Sequence, residues 1–387
     1  MSDPLQRFRD AAALRAFNGV VRRLRARPAG GDGLVDLASN DYLGMAHDPR
    51  VVSAAATAAL AWGAGSTGSR LVTGSTALHA ELEMELAAFL SAPAALVFSS
   101  GYLANLATIS TLGGQGVLVV SDQSNHASIV DACRLSRSRL VVTPHRDTDA
   151  VERALALREE EHAIVVTDAV FSVDGDLAPL PALHAVARRH SALLVVDEAH
   201  SLGVVGEGGR GAIDAIGLGR EPDVIRTLTL SKSLGAQGGA VVGPGEVIET
   251  LVDTGRPFIF DTGLAPSSAG AALAALRILA ASPALALQVR AKANELAWLV
   301  RQSGLSAGRP DAAVLAVTLG DPHTALHAQQ VCADHGVRVG CFRPPAVPND
   351  RSCLRLTARA NLTEAHLSMA ARALHAVARS RGVPSLP

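Results

Sequence analysis

The sequence is nearly without lysine. Of its 35 basic residues only Lys232 and Lys292 are lysines, and arginine supplies the rest. Arginine does not lose its proton in a protein, so chemistry that needs a neutral amine has two candidates. Net charge is missing as well. At −1, the chain has no general electrostatic drive toward nucleic acid or an anionic membrane. No apolar run approaches the roughly 20 residues of a membrane span, and the first residues lack the apolar block of a secretory signal. The expectation is a cytoplasmic protein with no membrane and no nucleic-acid partner. Cysteines are few: Cys133, Cys332, Cys341 and Cys353 show neither CxxC pairing nor metal-ligand spacing. That suits a reduced cytosolic protein without disulfides or structural zinc. Arginines cluster near the start, but Asp3 and Asp10 argue against a mitochondrial presequence. A solvated amphipathic first helix is the expectation there.

What is present is a large apolar content. A chain of 387 residues that is 48% hydrophobic can bury a sizeable core, and it exceeds one ordinary domain, so two lobes are expected. Short β-branched runs recur between helical patterns: "ALVFSSG", "VLVVSD", "RLVVTP", "AIVVTDAVFS", "ALLVVDEAH", "VIRTLTLSKS" and "AVVGP". Near-continuous apolar strands alternating with helices predict an α/β fold, with a mostly parallel central sheet and helices on both faces. Ligands bind such sheets at the carboxyl ends of their strands. After about residue 265 the pattern turns alanine- and leucine-rich and helical, then returns to an α+β alternation. Residues 46–284 are expected as the large sheet domain, and 1–45 with 285–387 as a smaller lobe.

Two familiar motifs mislead. "DEAH" at 197–200 suggests a helicase-type ATPase, but the phosphate-cradling GxxxxGK[ST] loop that must accompany it is missing. "GEGGRG" matches GxGxxG at Gly206, Gly208 and Gly211, yet it does not sit in the tight turn directly after a strand.

Lys232 stands apart. In "TLTLSKSLG" an apolar strand runs into Thr229, Ser231 and Lys232, so the amine emerges at the carboxyl edge of the sheet. A lysine held there suits Schiff-base chemistry. Pyridoxal phosphate needs such a lysine, an acid for its pyridine nitrogen, a planar group for its ring and a helix N-terminus for its phosphate. Asp197, ending the preceding long strand, supplies the acid, and His200 follows close enough to reach the phenolic oxygen. His126 lies between a strand and a helix, where an imidazole can stack on a ring. In "FSSGYLAN" a strand breaks into a helix at Gly101, so the amides of Gly101 and Tyr102 face an anion. Lys292, in a helical pattern, reads as a surface residue.

Taken in order, "DLASNDYLG", "GSTGSRLVTGS", "FSSGYLAN", "SNHAS", "VFSVDGDLAPL", "VVDEAHSLGVVGEGGRG" and "SKSLG" resemble the α-oxoamine synthases. These are fold-type I pyridoxal phosphate enzymes that join an amino acid to an acyl thioester with loss of carbon dioxide. "GCFRPPAVP" with "LRLTARA" is most similar to the family's biotin-pathway branch, which implies L-alanine and a pimeloyl thioester, on coenzyme A or a carrier protein, as substrates. The resemblance implies that Lys232 carries the cofactor, Asp197 pairs with the pyridine nitrogen, His126 stacks on the ring and His200 contacts the phenolic oxygen. It assigns Ser172 to the ring's surroundings, and Gly101, Tyr102 and Thr229 to the phosphate. Thr262 matches a phosphate contact given by the other subunit, so a homodimer with active sites at its interface is implied. Asn40 matches a residue on the substrate side, Arg355 the ligand of the amino-acid carboxylate, and Arg22 or Arg23 an N-terminal active-site arginine.

Two positions depart from the family pattern: Ser201 where glycine is usual after Ala-His, and Ala346 where Arg-Pro-Pro is usually followed by threonine. The alternatives are a sibling synthase using glycine with a short acyl-CoA, and a catalytically silent scaffold subunit that keeps the fold.

Overall fold

In the computed structural model, which describes residues 3–347 and 351–381, all the β-branched runs named above become strands of one sheet. Helix α1 (Gln6–Phe17) and strand β1 (Val35–Leu37) come first, followed by α2 (Pro49–Trp62) and α3 (Ala77–Phe89). The alternation then runs β2 (Ala94–Phe98), α4 (Gly101–Leu112), β3 (Val117–Asp122), α5 (Ala127–Ser136), β4 (Arg139–Thr143), α6 (Thr148–Ala156), β5 (His162–Asp168) and α7 (Leu180–Arg189). Strands β6 (Leu193–Asp197), β7 (Val224–Thr229) and β8 (Gly239–Gly243) complete the seven-stranded sheet, ordered β2-β8-β7-β6-β5-β3-β4. Only β8 runs antiparallel to its neighbours. Crossover helices cover both faces, so β7 and β8 are buried along their whole length.

Register brings polar strand ends together. Asp168 pairs with Asp197 across β5 and β6, and Asp197 with Thr227 across β6 and β7. All three lie at or next to the carboxyl edge, where the loop after β7 carries Lys232.

The chain divides into two compact units, Asn40–Arg290 and Met1–Ser39 with Ala291–Pro387. The second unit holds a four-stranded sheet ordered β1-β10-β11-β9, from β9 (Val314–Gly320), β10 (Val337–Phe342) and β11 (Ser352–Thr357). Helix Pro322–Asp334 follows β9, and Glu364–Ser380 follows β11.

One expectation needs correction. The first helix forms but is not amphipathic: Leu5 at its N-cap and Phe8, Leu14 and Phe17 within it are all exposed, and none of its residues is buried. Their spacing scatters them around the axis instead of along one stripe. The long alanine-rich stretch is two helices, Pro266–Ala281 and Ala284–Gln302, bent by 88° at a break containing Pro283. Among the described residues no single helix is long and apolar enough to cross a membrane. The Arg-Pro-Pro motif is described as far as Val347, and its last residue, Pro348, lies outside the described residues.

Candidate active site

The loop after β7 delivers the Lys232 amine to a buried partner. Its Nζ lies 2.8 Å from His200 Nε2, and His200 Nδ1 meets the hydroxyl of Tyr42. Tyr42 is fully buried, and its hydroxyl donates to Asn40 Oδ1 at 3.4 Å. With Lys232 protonated, Nε2 accepts, so His200 must carry its proton on Nδ1 and give it to Tyr42. Lysine, imidazole, phenol and amide thus form one line of donors.

A second line starts at Asp197. Its Oδ1 accepts from the N–H of Ala199 at 2.8 Å, closing the turn that follows β6. Its Oδ2 accepts from Asn105 Nδ2 at 2.6 Å. The other proton of that amide goes to Ser128 Oγ at 2.8 Å, and Thr227 Oγ1 donates to Asn105 Oδ1 at 2.6 Å. Ser128 Oγ stands 2.7 Å from His126 Nδ1. His126 Nδ1 also accepts from the Ser128 backbone N–H at 3.3 Å, so it is an acceptor for the Ser128 hydroxyl too and the imidazole proton is on Nε2. Although His126 as a residue is exposed, its ring titrates below the ordinary histidine range. Desolvation is the main cause and the charge of Lys232 adds to it, against Asp197 and Asp131. A neutral, tautomerically fixed imidazole results.

His126 begins α5, and its backbone N–H donates to Asp168 Oδ2 at 2.8 Å. Asp168 is buried, and desolvation pushes its pKa well above the usual carboxylate range, with the charge of Asp197 adding to the rise and the His126 N–H opposing it.

The anion site is visible as close packing. Ser100 caps α4 by accepting from Leu103 N at 3.1 Å, so the side-chain cap falls beyond Gly101 and Tyr102. A Cβ on Gly101 would lie 3.0 Å from Thr229 Cβ, and one on Gly239 would lie 2.4 Å from Gly101 N. These glycines let β7, β8 and the start of α4 converge. Thr229 Oγ1 lies 2.7 Å from Ser231 Oγ.

The remaining expected residues are placed as follows. Tyr102 is 42% exposed and its hydroxyl donates to Asp131, which raises its pKa. Ser172 follows β5 in the loop closed by the Val170–Leu177 bridge. Thr262 bridges Ser69 and takes no part in the two hydrogen-bonded lines. Arg355 and Arg22 belong to the other unit. There Arg355 is buried on β11 with its guanidinium 4.6 Å from the Phe342 ring centre, and Arg22 and Arg23 lie in an exposed stretch. Arg343 donates to the carbonyl of Gly19, and to that of Val21 at 3.3 Å, which anchors that stretch at its beginning.

Tyr42, Asn105, Ser128, Thr227 and Asp168 are the residues that sequence reasoning missed. Asn105 follows Gly101 by one helical turn and so shares its face, a signal the spacing carried. The departure at Ser201 is accommodated: its hydroxyl donates to Glu198 Oε1 at 3.1 Å. Away from this edge, His184, Glu221 and Asp223 group closely, but His184 already pairs with Asp223 and Arg188 with Glu221.

Comparison with known proteins places this geometry. The family model of class I and II aminotransferases matches residues 32–374. The chain is 58% identical over 371 residues to the 8-amino-7-oxononanoate synthase of Mycobacterium sp. strain JLS, covering 96% of each protein. A high-resolution SPT structure holding PLP superposes with a TM-score of 0.92 and 33% identity, over 99% of this chain and 100% of that one. The 8-amino-7-oxononanoate synthase of Francisella tularensis gives a TM-score of 0.77 and 26% identity, over 91% of this chain and 98% of that one.

Proposed function

Because the chain belongs to the class I and II aminotransferases and, within them, to the 8-amino-7-oxononanoate synthases, we propose that it condenses L-alanine with a pimeloyl thioester, releasing carbon dioxide, in biotin biosynthesis. Pyridoxal 5′-phosphate is its cofactor. The residues present fit that group: a lysine amine, a buried carboxylate on the neighbouring strand, and a glycine-walled helix start beside Thr229.

The bound cofactor supplies an electron sink for the substrate's α-carbon. The protein's part is to place and protonate groups around it. Lys232 would hold the cofactor through its amine, and the same amine would serve as the base for the α-proton of alanine. Asp197 keeps a proton on the pyridine nitrogen, with its carboxylate oriented by Asn105. His126, neutral, lies against the ring, and Ser172 stands near it. His200, backed by Tyr42, would contact the phenolic oxygen. The amides of Gly101 and Tyr102 and the hydroxyl of Thr229 receive the phosphate. Arg355 takes the alanine carboxylate, for which its bidentate fork is suited, and Asn40 and Arg22 contact substrate.

The proposal extends to a cytoplasmic homodimer. Exposed Leu71, Val72 and Phe260 near the Ser69–Thr262 bridge favour a covering second copy, to whose site Thr262 contributes.

The observation that carries the reading is the Lys232 amine, 2.8 Å from the ring of buried His200, on the loop after the strand beside the one that Asp197 ends. The test is an absorbance spectrum with pyridoxal phosphate, wild type beside Lys232→Ala, before and after L-alanine and then pimeloyl-CoA, with product mass read at the end. A lysine-dependent band that shifts with alanine supports the proposal. A band that responds to glycine and not to alanine transfers it to a sibling synthase, and no lysine-dependent band at all overturns it.

A further inference from the structure

Behind the two hydrogen-bonded lines sits an imidazole that the mechanism does not use. His145 lies in the loop after β4, 26% exposed, between two carboxylates. Its Nδ1 is 3.1 Å from Asp122 Oδ1 and its Nε2 is 2.9 Å from Asp176 Oδ2. Carboxylates only accept, so both ring nitrogens must donate and the ring is an imidazolium. Phe171 packs edge-on against it at 4.4 Å between ring centres. The charged groups around it are Asp122 from the end of β3, Asp176 from the loop after β5, and Arg146 of its own loop, whose Nη1 donates to Asp176 at 3.1 Å. The next carboxylate, Asp147, is occupied in capping α6 through Ala150 N.

Each carboxylate belongs to a loop of the candidate site. Asp122 accepts from Ser124 N at 2.7 Å, and its carbonyl accepts from Asn125 N, which shapes the turn delivering His126. Asp176 closes the loop of Ser172, since its carbonyl accepts from Phe171 N at 3.0 Å. We infer that His145 is a positioning residue for the cofactor site: by engaging Asp122 and Asp176 at once, it ties the turn carrying His126 to the loop carrying Ser172. The inference rests on the pyridoxal phosphate reading above for its functional meaning, though the tie itself does not depend on a bound cofactor.

Its pKa lies above the ordinary histidine value. Desolvation is the largest single influence and lowers it, but the hydrogen bonds and charges of Asp122 and Asp176 together outweigh that. A raised pKa means that the tie is complete below the unfolded value of 6.5 and is lost as pH rises through the folded value.

The test combines hydrogen exchange of the amides at 122–128 and 170–177 with pyridoxal phosphate titrations, both from pH 6 to 9. The proteins compared are wild type, His145→Gln and Asp176→Asn. In wild type, protection of both loops falls together as pH rises, and cofactor affinity falls with it. In His145→Gln both loops lose protection at all pH values, though not completely, because Arg146 still donates its backbone N–H to Asp122 and its Nη1 to Asp176; affinity drops roughly tenfold, the order expected for losing a charge-assisted hydrogen bond. Asp176→Asn separates the tie from general damage. An asparagine amide can donate to a neutral imidazole, so this variant keeps the tie while its pH dependence flattens. Unchanged exchange in His145→Gln, or loops that open independently of each other, overturns the inference. Should no protein take up the cofactor, the functional reading fails, and the exchange data on the free protein still decide the tie.

Discussion

Asn105 Nδ2 donates to Asp197 Oδ2 across 2.6 Å, and both residues are buried. The same amide holds Ser128 and, through it, the Nδ1 side of His126. One asparagine therefore sets both the carboxylate expected at the pyridine nitrogen and the imidazole expected on the ring. Asn105→Ala takes away the side chain that Asp197 Oδ2 and Thr227 Oγ1 both bond, which costs about 1–3 kcal/mol of stability. It also lowers kcat/KM by about 10–100-fold, the usual scale for losing a residue that orients a catalytic group. Asn105→Asp is expected to be worse than alanine, because it sets a carboxyl group against Asp197. Steady-state kinetics beside thermal melts check this, and a melt shift with unchanged kinetics would make Asn105 a packing residue only.

Tyr42→Phe isolates the other line. The ring volume stays, so stability falls by only about 1 kcal/mol. What is lost is the partner that takes the Nδ1 proton of His200. Without it, the imidazole can rotate its proton to Nε2 and turn a donor toward the Lys232 ammonium. A roughly tenfold fall in kcat, with a shifted pH profile, is the expected result. An unaltered pH profile would show that Lys232 fixes the tautomer unaided.

The strands inside the sheet were legible because burial on both faces makes them continuously apolar, and edge strand β4, though largely exposed, still carries a β-branched run; several of the runs stop at a polar residue. That pattern also exposed Asp197, Thr229 and Lys232, which sit where apolar runs stop. Asn105 and Asp168 were harder to see. Asn105 is a lone polar residue in an otherwise apolar helix, and its purpose depends on β6 and β7 passing beneath it. Asp168 ends a run that continues into "AVFS", and its meaning comes only from pairing beside Asp197 in a sheet whose order is not the chain order. Contacts across the sheet are set by topology, which local pattern does not encode.

Asp168 gives a pH test with a definite sign. Its folded pKa is raised well above the ordinary aspartate value of 3.8 by burial and by the charge of Asp197. The protonated form is favoured on folding, so stability from this group is full below about pH 4 and is lost as pH rises through the folded value. Asp168→Asn retains an acceptor for the His126 N–H and removes the titration. Relative to wild type, the variant gains stability between pH 4.5 and pH 8. Urea unfolding at the two pH values reads the gain, and a difference that does not change with pH would contradict the raised pKa.

The second letter of "DEAH" has its own function, and it is structural. Glu198 and Arg226 are both buried, with Oε2 and Nη1 3.9 Å apart and no hydrogen bond between them. Desolvation lowers the Arg226 pKa against the pull of Glu198, and raises that of Glu198 against Arg226. Glu198 Oε1 meanwhile accepts from Ser201 Oγ and from Ile213 N at 3.0 Å, fastening the turn that bears His200. A Cβ at Gly211 would come within 2.5 Å of this oxygen, so the misleading glycine pattern is in part an accommodation of Glu198. The two single substitutions are unequal. Glu198→Gln leaves an arginine that cannot shed its proton in the core, at a cost of about 3–5 kcal/mol. Arg226→Met leaves a carboxyl that can simply take one up, so it costs less at neutral pH and becomes more destabilising as pH rises. The double variant should be more stable than the sum of the two predicts, since it removes both charges. A double-mutant cycle by urea unfolding measures the coupling. Additive losses would mean that the two ions do not sense each other across 3.9 Å, and that Glu198 matters only through the turn it fastens.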